Sequence, residues 1–396
     1  MHQRTDGTRS MMGLAAPAVV AAVLLLASPA MAVEDATTFV ATSVLAPDGS
    51  LSGAASVVVS DGRIASVTAG DDNAAGGDVG ANVVRFDDGA VLCPGLIDVL
   101  SNLGVYGTNT ARAEAFDPAL SARTALDANH EHFAAALQAG YTSALLWPNL
   151  NNIIAGTTAP VRIGPRRTAS LIADDGPLVF VLGASALEFA RAPTSRLGAI
   201  DLLRRALAEA KAGGGAERLR EYAAGALPGL VYCESAADVS SALDLLAGME
   251  RLPVLVHTAE AADVASEVAG RAAGALVVVG PLSAAMPPRV LAGAGELERA
   301  GVQVAFGARL PAAPWDSLRT TAALAARYGM SAGAARRAMT LNAARAAGLD
   351  GTRGSIEVGK IADFVVFSRD PLRPDSRVLE VYLEGVRVYD ARAFDE

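Results

Sequence analysis

The chain is 396 residues long, carries a formal net charge of −9, and is 52% hydrophobic but only 5% aromatic. That length suits one large barrel with a small accessory domain. An acidic balance with no dense stripe of Lys and Arg excludes nucleic acid as a partner.

Residues 1–32 read as a secretory signal peptide. Arg4 and Arg9 give a positive start, an apolar run covers residues 14–26, and Ala30-Met31-Ala32 offers a small-residue cleavage site before Val33. The competing reading is an uncleaved anchor, but the run contains Pro17 and is short for a bilayer span. Cleavage is the favoured reading. It implies a periplasmic or secreted protein with no membrane association after processing. The two cysteines, Cys93 and Cys233, both lie in apolar runs, which favours buried thiols over a disulfide.

Short alternating strands fill the region from 37 to 91. Residues 55–59 and 64–67 flank Asp61-Gly62-Arg63 and predict a hairpin. The Gly/Asp/Ala-rich stretch 69–80 predicts a flexible loop. From 91 to 350 apolar strand runs alternate with amphipathic helices, the pattern of a parallel α/β barrel. Strands are predicted at 96–100, 142–147, 178–182, 229–232, 253–257, 275–280 and 302–306. Helices are predicted at 129–139, 200–212, 237–249, 261–271 and 318–328. Seven strands stand where a closed barrel wants eight, and the interval between His257 and Val302 looks one unit short. Strand-rich text returns at 364–367 and 381–388.

The first barrel strand carries the most specific motif, Pro94-Gly95-Leu96-Ile97-Asp98-Val99-Leu100-Ser101-Asn102-Leu103-Gly104. It resembles the amidohydrolase superfamily segment Pro-Gly-Leu-Ile-Asp-x-His-x-His-x-Gly. Two further stretches support the likeness: Gly354-Ser355-Ile356-Glu357-Val358-Gly359-Lys360-Ile361-Ala362-Asp363, and Leu341-Asn342-Ala343-Ala344-Arg345. The chain is similar to the exported, imidazolonepropionase-like branch of that superfamily. The resemblance implies a TIM-like (β/α)8-type barrel, one unit of it degenerate, over residues 91–350. It also implies a small β-sandwich domain composed of residues 33–90 and 351–396.

The family's chemistry uses Zn or another divalent metal to lower the pKa of a bound water. By resemblance its ligands would be two His on strand one, a Lys or Glu on strand four, a His on each of strands five and six, and an Asp after strand eight. Here the strand-one positions are Leu100 and Asn102. Neither lysine, Lys211 nor Lys360, falls on strand four, where Tyr232, Cys233 and Glu234 stand instead. His257 keeps the strand-five position. Val279-Gly280-Pro281 occupies the strand-six end, and Gly307-Ala308-Arg309 aligns with the family's Gly-Ser-Asp. A fixed guanidinium where a cation would sit opposes metal binding. His130 and His132 fall on a stretch read as helix, where residues two apart face different ways, so they read as a solvated helix start. Ser101, His257 and Glu260 could form a nucleophilic set only through geometry that sequence does not show, and no Gly-x-Ser-x-Gly elbow is present.

The sequence therefore predicts an amidohydrolase-fold protein with a dismantled metal centre and no metal cofactor. Asn102, His257 and Arg309 are its candidate ligand-binding residues. The partner would be a small molecule, a second copy of the chain or a metal-competent paralogous amidohydrolase. The alternative is an active amidohydrolase acting on a cyclic amide or other non-peptide C–N bond through a reduced metal site.

Overall fold

The computed structural model describes residues 36–70, 82–107, 109, 111 and 113–394. The leader expected at 1–32 lies outside these residues, as does most of the loop expected at 69–80. Among the described residues no helix is long and apolar enough to cross a membrane.

The N-terminal strands are β1 (Thr37–Ala41), β2 (Ser43–Val44), β3 (Ala55–Ser60), β4 (Arg63–Ala69), β5 (Asn82–Arg85) and β6 (Val91–Pro94). The β3–β4 hairpin forms as expected. Asp61 and Gly62 take φ of 51° and 72°, the left-handed pair that a tight two-residue turn requires.

The barrel follows. Its elements in order are β7 (Leu96–Ser101), α1 (His132–Gln138), β8 (Tyr141–Leu146), β9 (Ile154–Thr157), β10 (Ala159–Ile163), β11 (Ala169–Leu171) and β12 (Leu178–Leu182). Then come α2 (Arg196–Lys211), α3 (Glu217–Ala223), β13 (Gly229–Cys233), α4 (Ala236–Leu245), β14 (Val254–Val256) and α5 (Ala261–Arg271). Last are β15 (Leu276–Val279), α6 (Pro288–Arg299), β16 (Gln303–Phe306), α7 (Ser317–Arg327), α8 (Ala332–Met339) and α9 (Leu341–Ala347). Local sequence explains several helix starts. Ser235 and Asp238 form a reciprocal capping box on α4. Ser195 accepts from the Gly198 N–H at the start of α2, and Ser331 accepts from Ala334 at the start of α8.

The chain closes with β17 (Phe364–Phe367), β18 (Val378–Leu383) and β19 (Val386–Asp390). β17 pairs antiparallel with β6, and the sheet runs β19-β18-β17-β6-β2. The other sheet of the sandwich runs β4-β3-β1-β5. Phe39 seals the space between them, with the Tyr382 and Phe364 rings 5.0 and 5.6 Å away, both edge-on. A buried ionic joint ties this sandwich to the barrel, since Asp363 meets Arg162 and Arg353, each at 3.3 Å.

Seven parallel strands are present among the described residues, β7, β8 and β12 to β16, close to the predicted bounds. The eighth position is not where the spacing suggested. Between β8 and β12 runs one extended stretch, β9 and β10, antiparallel to both neighbours. At Thr158 it passes from one sheet to the other, so the barrel consists of a sheet β11-β10-β8-β7 and a sheet β16-β15-β14-β13-β12-β9. No strand ladder joins β16 to β7.

That seam is held by a side chain. Asp98, fully buried on β7, accepts from the backbone N–H of Ala308 (2.8 Å), Leu310 (3.1 Å) and its own Leu100 (3.0 Å). The Asn102 N–H donates to the Leu310 carbonyl at 2.7 Å. Burial pushes the Asp98 carboxyl above its ordinary range, opposed by these N–H donors.

Candidate functional site

Barrel sites form where strands end and loops begin. In this chain the C-terminal ends of β7, β13, β14 and β16 converge on two adjoining cavities of about 410 and 440 Å³, both lined by Leu100, Tyr232 and Arg309. The first is walled by Asn102, Asn109, Asn149 and Trp147, and the second by His257, Glu234, Val256 and Met286. Asn102, His257 and Arg309 thus all reach one barrel mouth, with Arg309 common to both halves.

Leu100 is only 8% exposed and lies on the seam, where a Cβ built on Gly307 would sit 2.4 Å from its side chain. Hydrocarbon therefore fills that end of the strand. The Asn102 carboxamide oxygen accepts from Asn109 Nδ2 at 3.1 Å. Asn109 Nδ2 also donates to the Trp147 carbonyl at 2.8 Å, and Trp147 Nε1 donates to the Val99 carbonyl at 2.6 Å. This chain of contacts fixes the amide wall of the mouth.

His257 is 3% exposed and both its ring nitrogens are engaged. Nε2 accepts the Glu260 backbone N–H at 3.1 Å, so Nδ1 carries the proton and donates to the Cys233 carbonyl at 2.9 Å. An imidazole satisfied in this way has no lone pair left for a metal. Glu234 turns its carboxylate to the N–H groups of Ala184 (2.8 Å) and Ser185 (3.0 Å). Burial pushes the Cys233 thiol well up, which withholds the thiolate that metal binding or nucleophilic attack would need.

Arg309 completes the mouth. It follows β16 in the left-handed region at φ 57°, and its exposed guanidinium has no hydrogen-bond or ion-pair partner among the described residues. Among those residues no three His, Cys, Asp or Glu side chains come together in a way that could hold a metal ion. The donor set at the mouth, a leucine, three asparagines, a saturated imidazole, a guanidinium and a single carboxylate already taken by two backbone N–H groups, does not fit a divalent cation.

The nucleophilic alternative also lacks its contacts. Ser101 Oγ accepts from the Leu103 N–H at 3.3 Å, the Glu260 carboxylate accepts the Ala236 N–H, and His257 meets the backbone of Glu260 rather than its carboxylate. The histidine pair differs from the sequence reading. α1 begins only at His132, leaving His130 in the preceding turn, where its Nδ1 accepts the His132 N–H at 3.2 Å. The two rings therefore lie together, with centroids 3.8 Å apart, instead of facing apart. Asn109 and Asn149 stand in loop text and Trp147 ends a predicted strand, and amides and an indole carry no spacing rule that marks a site.

Residues 248–389 match the model of the amidohydrolase family. The chain is similar to an amidohydrolase from Thermotoga maritima, with a TM-score of 0.75 at 23% identity, over 89% of this chain and all of that one. It is also similar to a prolidase solved with N-methylphosphonate-L-proline, with a TM-score of 0.56 at 18% identity, over 90% of this chain and all of that one. A third likeness is to a zinc-bound adenosine deaminase from Xanthomonas campestris, with a TM-score of 0.52 at 20% identity, over 89% of this chain and 92% of that one. No curated protein matches the chain. The chain has the mixed α/β fold of the amidohydrolases, a TIM-type barrel with a β-sandwich, and its residues 248–389 match the model of that family.

Proposed function

We propose that the barrel mouth binds a small carboxylate-bearing molecule and has given up metal-assisted hydrolysis. The observation that carries this reading is Arg309. Its unpaired guanidinium stands between two cavities, at the position where the family resemblance puts a metal-binding carboxylate. A guanidinium repels a divalent cation and offers a two-pronged donor to a carboxylate. The Asn102–Asn109 wall supplies further polar groups, and the exposed ring of Tyr106 supplies flat apolar surface.

Two measurements test this. Protein purified without chelator is assayed for metal by elemental mass spectrometry, and benzoate and benzamide are titrated by calorimetry. The reading expects far less than one divalent metal per chain, benzoate binding, and loss of that binding in Arg309→Gln. Stoichiometric metal would overturn it and bring forward the second reading, hydrolysis of a cyclic amide or other non-peptide C–N bond. The family match over residues 248–389 favours that alternative, and His257 would then be the first residue to substitute. Export, and pairing with a second copy or a metal-competent relative, belong to the same proposal. Elution of the mature protein alone, without any such relative, would remove the partner from it.

A further inference from the structure

A third cavity, also of about 440 Å³, lies on the flank of the barrel, between α7 and the loop that follows β17. Its walls are built from opposite chemistries. Ala323, Leu324, Leu372 and the two prolines Pro371 and Pro374 supply apolar surface, while three arginines, Arg319, Arg327 and Arg373, face one acid, Asp316.

The loop is held firmly enough to be a wall. Asp370 at its base pairs with Arg336 at 2.6 Å and accepts the Leu372 N–H at 3.1 Å. Ser376 Oγ closes it by donating to the Arg369 carbonyl at 3.0 Å. Arg373 is already engaged, its Nε 3.0 Å from Asp375. Arg327 has no partner among the described residues. Arg319 is the unusual member. It lies half-buried over the Phe367 ring, with Cζ 5.4 Å from the centroid, and Nη1 donates to the Ser376 carbonyl at 2.8 Å. Burial lowers its pKa, and no carboxylate lies within ion-pair distance among the described residues. This half-buried cation, stacked on Phe367 and held by one hydrogen bond, leaves the rest of its guanidinium edge open to a ligand in a cleft with apolar walls beside it.

We infer that this flank cavity binds an amphiphilic carboxylate, a medium-chain fatty acid, with the head group on Arg319 and the alkyl chain along Ala323, Leu324 and Leu372. The head would take the edge of the guanidinium left free by Ser376, and the outer cation Arg327 adds attraction at the rim. The chain would displace water from apolar wall with no directional demand, which suits an unbranched tail. This site shares no residue with the barrel mouth.

The test is calorimetric titration of the intact protein with decanoate below its micelle concentration, with decanol and acetate as the tail-only and head-only controls. The expected result is a saturable decanoate site that Arg309→Gln retains, with decanol and acetate at least about tenfold weaker at that site. Arg319→Gln should weaken decanoate about tenfold or more, while Arg309→Gln leaves it unchanged. Ala323→Phe, which fills the tail region and spares Arg319, should abolish binding. It serves as the check if Arg319→Gln folds poorly. Absence of saturable binding, equal affinity for decanol, or loss on Arg309→Gln with retention in Ala323→Phe would overturn the assignment. Loss on Arg309→Gln would assign decanoate to the mouth, whereas loss of benzoate there with decanoate retained would leave the flank site standing, so the failures of the two readings are distinguishable.

Discussion

Replacing Arg309 with glycine should make the protein more stable while removing its ligand. A non-glycine residue held at φ 57° carries a backbone cost of about 1–2 kcal/mol. Glycine removes that cost but returns about 0.5–1 kcal/mol through the freer unfolded chain. The exposed guanidinium, partnerless among the described residues, adds nothing measurable to the folded state, so Arg309→Gly should gain roughly 0.5–1 kcal/mol. The assay is urea unfolding at neutral pH, where the midpoint should rise with an unchanged slope. Arg309→Gln is the control, because it keeps the strained backbone and loses the charge. It should unfold with wild type and lose benzoate as fully as the glycine variant does. If Arg309→Gly unfolded earlier than wild type, the guanidinium would have to be making a stabilising contact. The argument for a vacant anion receptor would then fail.

Asp98→Ala strips the acceptor from three buried N–H groups at the seam and should cost about 3–5 kcal/mol, read from the same urea curves. His257→Ala leaves the Glu260 N–H and the Cys233 carbonyl unpaired and should cost about 1–3 kcal/mol, with metal content and benzoate affinity unmoved. The triple variant Leu100→His, Asn102→His, Arg309→Asp should bind zinc where wild type does not, measured by competition with a chromogenic chelator. No gain would count against the alignment of these strand ends. Asp370 faces burial, which would raise its pKa, but the Arg336 and Leu372 hydrogen bonds prevail and hold it below the usual carboxylate range. Its stabilisation is therefore complete above about pH 4 and fades as pH falls through the depressed value. Asp370→Asn should unfold earlier at neutral pH and lose less on acidification than wild type does.

The barrel was legible because its strands are short apolar runs closed by turn residues, and 96–100, 178–182 and 229–232 needed nothing else. The antiparallel stretch β9–β10 was not. Gly156 and Pro160 give it the texture of a loop, and its partners, β8 and β12, are set by tertiary pairing that no local pattern records. Asp98 presents a similar gap. An acid inside an apolar run marks the motif, but only the fold reveals that it takes N–H groups from beyond position 300. At the mouth, residue identity carried more information than periodicity did. Leucine and arginine at Leu100 and Arg309 announce which chemistry they do not support, whereas the saturation of His257 depends on a backbone N–H three residues on. The turn before α1 reversed the reading of His130 and His132, because a helix boundary shifted by a few residues changes which side chains meet.

The two sheets of the barrel give it the mechanics of a collar with a clasp. β7 and β16 are bound to each other by Asp98 and the Asn102 amide rather than by a ladder, and the sheets exchange strands at Thr158. Parting the collar at its clasp would cost a handful of hydrogen bonds, where parting any two of the parallel strands β12 to β16 would cost a whole row. The clasp takes the Leu100 N–H and the N–H groups on either side of Arg309. Arg309 lies between Ala308 and Leu310, whose N–H groups Asp98 takes, so the residue offered to a ligand at the mouth belongs to the same short segment that fastens the seam.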